Sequence, residues 1–503
     1  MSVLDACGQR KFDIRLSIET EPFAHETLRL RTFYRQFSKD EIPDGYYDVL
    51  QGEQKLAELY ESYPRQVRDV DAVAWRTELG SAAAPAAKVR ERMSDRFGDV
   101  RDWVLIGGPP CQAYSLAGRS RNRGEKEYVP EDDPKQYLYI EYLQLIADRW
   151  PAVFVMENVK GLLSAKLGGE SVFARILADL RDPARAVRKE GRGRAHTGRK
   201  YEYQVYSLST RGMFGELSPT DFVVRSERYG IPQARHRVIL LGVRDDISAT
   251  PETLMPCGTP PTVGDAIDGL PSLRSGLSKG NDGPDEWIAA VASGFSRTDV
   301  AEVKQKAGSD VADRLTGALA GLVKPRADRG AEFVESPCSV GFEKGWFLDS
   351  RLKGVCNHST RGHIVEDLWR YIYASCYAEK KNRSPELADF PGRLLPAHKN
   401  ASKALGGSLF ADRFRVQLAD KPATTIASHI ARDGHYYIHP EPEQCRSLTV
   451  REAARLQTFP DNYFFVGPRT SQYTQVGNAV PPLLARQIAE IVLGILARPT
   501  AAP

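Results

Sequence analysis

The chain has 503 residues, enough for two or more domains, and its 42% hydrophobic and 27% charged residues are those of a globular protein. No run of about 18 apolar residues exists, so no membrane-spanning helix is expected, and no basic stretch followed by an apolar core opens the chain, so no secretory leader is expected. The net charge is only +4, and the seven cysteines (Cys7, Cys111, Cys257, Cys338, Cys356, Cys376, Cys445) are odd in number, scattered and never spaced as CxxC, which argues against a disulfide framework or a metal site and for a reducing cytoplasm.

In chain order, residues 12–18 read as a strand ending at Glu19, and the Ala-rich residues 80–88 as a flexible insertion. The apolar run Trp103-Val104-Leu105-Ile106 reads as a buried strand, broken by Gly107, Gly108, Pro109 and Pro110. Cys111 follows directly, at the carboxyl end of that strand, where open α/β sheets build their sites. A structural thiol is the plain alternative. The rigid Pro-Pro lead-in and the polar Gln112 and Ser115 speak against it, because a core cysteine needs neither. Residues 139–150 read as a helix and 152–156 as the next strand, ending at Glu157-Asn158-Val159. Gln233-Ala234-Arg235-His236-Arg237 opens a late strand over 237–242. Alternating strands and helices point to an α/β fold with a mostly parallel sheet over residues 1–245.

From about residue 246 the chain turns Pro- and Gly-rich, with one or two amphipathic helices in 287–323 and another in 362–380. Residues 246–440 read as a separate, irregular domain, and 441–503 as two helices returning to the first. Thr449 and Glu452 form a capping box that opens the first of these, and 482–497 are apolar at helical spacing. Basic residues cluster at 181–200, which hold eight Lys or Arg, and at Arg119, Arg121, Arg123 and Lys126 just after Cys111. Solvated loops are the ordinary reading, but two such clusters flanking a candidate site fit a polyanionic partner.

Three motifs share one predicted rim if the late strand runs antiparallel to the others: Cys111, Glu157 and Arg235/Arg237. A thiolate attacks electron-poor carbon. A carboxylic acid supplies a proton to a ring nitrogen, and a guanidinium stabilises charge developing on a carbonyl oxygen. Together they suit attack at C6 of a pyrimidine, which makes C5 a nucleophile able to accept a methyl group. Taken singly, Glu157 reads equally well as a helix N-terminal carboxylate, and the two arginines as surface ion pairs.

The segments GGPPCQAYS (107–115), MENVKG (156–161), GIPQARHRVILLG (230–242), RSLTVREAARLQTFPD (446–461) and QVGNAVPP (475–482) resemble, in order, those of the DNA cytosine-5 methyltransferase family. The match covers roughly residues 12–246 and 420–490. The resemblance implies a Rossmann-like, S-adenosylmethionine-dependent methyltransferase sheet with a separate target-recognition domain over 246–440. It makes Cys111 the nucleophile and Glu157, supported by Arg237 and Arg235, the group on the flipped cytosine. It places Glu19, Pro110, Leu138, Asn478 and Val480 at the cofactor, and Gln112, Ser115, Arg119 and Gln233 at the DNA. Base flipping is needed because C5 and C6 cannot be reached inside a stack. Arg361 is a further candidate, either reading guanine or pairing with Glu366 or Asp367. The expected partner is double-stranded DNA, acted on by a cytoplasmic monomer in a bacterial restriction-modification setting, with a cognate endonuclease encoded nearby.

One departure from the family stands out. Its members open with a strand and a Gly-rich turn of the form FxGxGG. Here residues 2–7 could form a strand, but the next begins at Phe12, and a parallel crossover needs about a dozen residues. The expectation is that the stated start lies inside a longer reading frame; the rival is a truncated, impaired DNA-binding remnant. A tRNA cytosine-5 methyltransferase is a weaker reading, because the Cys-Phe-Thr signature of that group is absent and the recognition segment is long.

Overall fold

The computed structural model describes residues 11–109, 137–167, 169–191, 200–213, 215–396 and 412–497. Strand β1 (Ser17–Glu19) pairs in parallel with β2 (Ala74–Arg76), Ile18 lying opposite Trp75. A five-stranded sheet follows, formed by β3 (Val104–Gly107), β4 (Val153–Val159), β5 (Tyr203–Ser207), β6 (Val223–Arg225) and, after the short β7 (Gln233–Ala234), β8 (His236–Arg244). Its order is β3-β4-β8-β5, with β6 also along β8. β3 and β4 are parallel and β8 runs against β4, β5 and β6, so four of the five strands point one way and the late strand alone is reversed. Among the described residues no strand joins β1 to β3, and Ile106 on β3 is 56% exposed.

Side chains alternate across this sheet with period two. Val153, Val155, Ile239, Leu241 and Val243 fill one face, and Phe154, Met156, Val238 and Leu240 the other. Helix α1 (Pro22–Tyr34) follows β1, α2 (Ala86–Phe97) follows β2, and α3 (Tyr137–Arg149) lays Leu143 and Ile146 on the second face. Each such fully buried aliphatic is worth about 1.5–3 kcal/mol. Gly242 is opposite Phe154, and a Cβ there would lie 2.1 Å from the Phe154 ring, so only glycine lets the ring cross the strand. Residues 80–88 are not a flexible insertion. Ala84 is fully buried, and α2 starts at Ala86, where alanine favours the helix and Val89 and Met93 pack with Trp103.

The stretch 287–323 forms α4 (Pro284–Ala292), α5 (Arg297–Ala307) and α6 (Ser309–Ala320), separated by a Ser296–Asp299 capping box and by Gly308. They share a core with α7 (Val365–Lys381) around Trp287, Leu315, Tyr371 and Tyr373. The rest of 246–440 does not close on itself: Val263 and Ile267 pack with Val450 and Tyr473, Phe347 packs on the first face of the sheet, and Leu352 packs near Leu30 and Tyr46. At the end come α8 (Val450–Leu456), whose Thr449–Glu452 capping box is formed, α9 (Arg469–Asn478) and α10 (Pro482–Leu496). Residues 469–496 together are long and apolar enough to cross a membrane by length and composition alone. They are two helices broken at Ala479–Pro481, and Leu484, Ile488 and Val492 of α10 cover the first face of the sheet.

Candidate active site

Glu157 and Arg237 continue the inward-facing row of β4 and β8. Arg237 lies opposite Val159 and Glu157 opposite Ile239, so the two are diagonal neighbours on one face, within reach of long side chains. Arg237 Nε meets Glu157 Oε1 at 2.9 Å. The side chains are 17% and 20% exposed, so the pair is partly dried yet open to the rim. Burial lowers the Arg237 pKa, and Glu157 opposes that shift. β8 begins where β4 ends, which is the antiparallel arrangement that a shared rim requires.

The loop toward the cysteine is tied to the same edge. β3 ends at Gly107, opposite Met156. A Cβ on Gly108 would lie 3.2 Å from Glu157 Oε2 and 3.4 Å from the Glu157 carbonyl oxygen, so glycine lets the backbone pass against the acid. Asn158, pointing to the opposite face, donates from Nδ2 to the Pro109 carbonyl at 3.1 Å. Cys111, Pro110, Gln112, Ser115 and Arg119 lie outside the described residues.

Arg235 is buried behind this pair. Its Nη1 donates to the Ile426 carbonyl (2.8 Å) and its Nη2 to the Gly477 carbonyl (3.2 Å), while Nε has no hydrogen-bond partner among the described residues. Burial first, and the like charge of Arg237 second, push its pKa down to about 9. Gln233 and Arg361, which the sequence reading sends to the DNA, need correction. Gln233 is fully buried; its amide donates to Leu456 O and Gln457 Oε1 and accepts from Ile426 N. Arg361 is buried on the carbonyls of Ile430 and Arg432 and over the Tyr473 ring, and pairs with neither Glu366 nor Asp367. Polar side chains in turns and caps look exposed in a sequence, but here they satisfy main-chain groups of a remote segment.

That segment lies in the second stretch, 420–490, of the family resemblance. β9 (Ala423–Thr424) pairs in parallel with β7, Ala423 opposite Gln233, and so joins the edge that carries Arg235 and Arg237. The β-branched run Thr424-Thr425-Ile426 after Pro422 was the available signal.

A model of the C-5 cytosine-specific DNA methylase family matches residues 82–183 and 359–493. Type II methyltransferase M.Bpa9945I of Bacillus paralicheniformis is 30% identical over 510 residues, covering 97% of this chain and 96% of that protein. The chain belongs to the C-5 cytosine-specific DNA methylase family. Type II methyltransferase M.AgeI of Thalassovita gelatinovora is 27% identical over 454 residues, 87% of this chain and 91% of its own. The protein is thus a DNA (cytosine-5-)-methyltransferase. Glu157 and Asn478 lie in the matched segments of this methyltransferase, whereas Arg235 and Arg237 lie between them.

The cysteines of the methyltransferase divide by environment. Cys356 is buried and its thiol pKa is pushed up to about 12; burial also raises Cys338, Cys376 and Cys445. Such thiols are poor nucleophiles at neutral pH. On the other side of the sheet break, Glu19 Oε1 accepts from Thr20 N (2.8 Å) and Glu21 N (2.9 Å). Glu21 caps α1 and accepts from Ser471 Oγ of α9 at 3.4 Å, which brings the Glu19 turn to the helix that ends at the exposed Asn478. Val480 packs beside the α10 core, and Leu138 is half-buried on α3.

Proposed function

We infer that the chain methylates C5 of a cytosine extruded from a specific double-stranded DNA sequence, with Cys111 as nucleophile and S-adenosylmethionine as donor. The observation that carries this reading is the Glu157–Arg237 pair at 2.9 Å, on the strand whose Asn158 holds Pro109, two residues ahead of Cys111. The Cys111 thiolate attacks C6 of the ring. Glu157 holds a proton at the ring nitrogen, so the electron pair released toward C5 is accommodated, and Arg237 fixes that acid beside the base carbonyl. After the methyl group is added, loss of the C5 proton re-forms the C5–C6 double bond and expels the cysteine sulfur.

The donor set fits the cofactor. Glu19 has one oxygen fixed by two main-chain N–H groups, which leaves the other to accept from ribose hydroxyls, much as acids do at strand ends in dinucleotide folds. Asn478 presents an exposed amide nearby, with Val480, Leu138 and Pro110 as apolar lining. When bound, the cofactor supplies an electrophilic methyl group on a sulfonium sulfur. Residues 246–440 hold the target-recognition elements, and the setting is restriction-modification.

A second reading, a DNA-binding chain impaired in catalysis, is favoured by one observation: among the described residues β1, which carries Glu19, shares no sheet with β3 and β4. Transfer of a tritiated methyl group to DNA separates the two. Label from the intact chain and none from Cys111→Ser, with a covalent adduct on 5-fluorocytosine DNA, supports catalysis. Equal label from both overturns the role of Cys111. Sequence-selective DNA binding without label from either establishes the second reading.

A further inference from the structure

We propose that the turn over residues 428–433 reads the DNA sequence beside the extruded cytosine, with Arg432 on a guanine edge and Arg361 as the buried strut that holds the turn in shape. This rests on the DNA-methylating reading above. The turn leaves the catalytic edge directly: the Ile426 carbonyl is bonded to Arg235, and residues Ser428–Ala431 form a 3-10 helix. With about 2 Å of rise per 3-10 residue and at most about 3.6 Å elsewhere, Arg432 lies within roughly 17 Å of Ile426.

The turn is held from every side. Arg361 Nη2 donates to the Ile430 carbonyl at 2.7 Å and Nη1 to the Arg432 carbonyl at 3.0 Å, and its guanidinium lies 4.6 Å over the Tyr473 ring. The Tyr437 hydroxyl accepts from Ala427 N and donates to the Thr425 carbonyl. The His429 ring stands against Tyr436 and Tyr437. A Cβ on Gly477 would lie 2.3 Å from Ser428 N, and Gly434, at φ +77°, would meet Ser447 at 2.7 Å. The turn is therefore clamped between α9 and the segment that carries Tyr437 and Ser447.

What this frame presents is His429, Arg432 and Asp433, all exposed. Asp433 sits 3.8 Å from both Arg413 and His435, while Arg432 has no ion-pair partner among the described residues. Burying one guanidinium to fix two carbonyls of an exposed turn is costly unless the turn must be pre-organised. A phosphate contact tolerates a mobile side chain. Bidentate recognition of guanine O6 and N7 requires the fork to be aimed.

The test is selection of bound sequences from a random duplex pool by the full chain, which needs no methyl transfer, followed by bisulfite sequencing of the same pool after reaction. The intact chain is expected to select a motif. Arg432→Ala and Arg432→Lys should both lose discrimination at one base pair by roughly tenfold or more, with the salt slope of binding unchanged in the lysine variant. Arg361→Met should relax that same base pair while motif positions elsewhere persist. Retention of the motif by Arg432→Lys, with uniform weakening and a salt slope lower by about one in Arg432→Ala, marks a phosphate contact and overturns the proposal. So does an unchanged motif in Arg432→Ala, or no selected motif for the intact chain. Selection without methylation leaves the proposal standing and sinks the catalytic reading instead.

Discussion

Two arginine–carboxylate pairs in this molecule have similar chemistry and opposite employment. At the foot of α8, Glu452 and Arg446 are each 1% exposed, and both carboxylate oxygens are taken, Oε1 by Arg446 Nη2 and Oε2 by Arg446 Nη1 and Thr449 N, all at 2.7 Å. Burial alone would raise that carboxyl pKa; the charge and hydrogen bonds of Arg446 overcome it and hold the group well below the usual carboxylate range. At the sheet rim, Glu157 commits Oε1 to Arg237 and turns Oε2 toward Gly108, where the loop to Cys111 begins. The first pair is closed on itself and stabilises the junction of the return segment. The second keeps an oxygen without a partner among the described residues and part of its surface wet. What separates the acid of the rim from the structural acid here is spare valence, not charge.

Breaking each pair tests that distinction. Glu157→Gln should cut methyl transfer by about 10²–10⁴-fold and move the unfolding free energy by no more than about 1 kcal/mol, because the pair is partly solvated; activity retained at unchanged fold would remove Glu157 from the chemistry. Glu452→Gln should do the reverse. It strands a buried guanidinium and should cost about 3–5 kcal/mol in urea unfolding, with transfer per folded molecule near that of the parent.

The junction also contributes to the pH response, alongside His363, His429 and His435, whose pKa values burial likewise lowers. Burial is the first cause that lowers His358 to about 4 and His439 to about 3. Unfolded histidines titrate near 6.5, so between about pH 6.5 and 4 the unfolded chain binds protons that the native one excludes. Stability is then greatest above pH 6.5 and falls as the solution is acidified, by up to about 1.4 kcal/mol per pH unit for each histidine. Urea midpoints at pH 7 and pH 5 measure this, and a flat profile would contradict it. The smallest effect sharpens the comparison by sparing both pairs: Gly242→Ala pushes a methyl into Phe154 and should cost about 1–3 kcal/mol in thermal unfolding, leaving the DNA motif unchanged.

Much of the rim was readable without coordinates. Val104–Gly107, Val153–Val159 and His236–Arg244 announce themselves as apolar runs closed by glycine, proline or charge, and the Thr449 capping box marks its helix to the residue. Gln233 and Arg361 were misplaced for a common reason. A polar side chain near a motif looks available until its partner, Ile426 or Arg432, folds onto it from another part of the chain. The Ala-rich 80–88 stretch differs in the other direction: low complexity suggests an insertion, but Ala84 is anchored in the cluster of Val89, Met93 and Trp103.

Local order determined the strands, the caps, the break before Cys111 and the spacing of acid and guanidinium along their own segments, because each depends on periodicity and neighbouring residues. Only tertiary structure decided that β8 opposes β4, that β9 leaves the recognition region to join the edge that carries Arg235 and Arg237, and which arginine is spent on carbonyls and which stands free. Those outcomes turn on pairing between residues up to hundreds of positions apart, where burial and hydrogen-bond satisfaction, rather than sequence proximity, choose the partner.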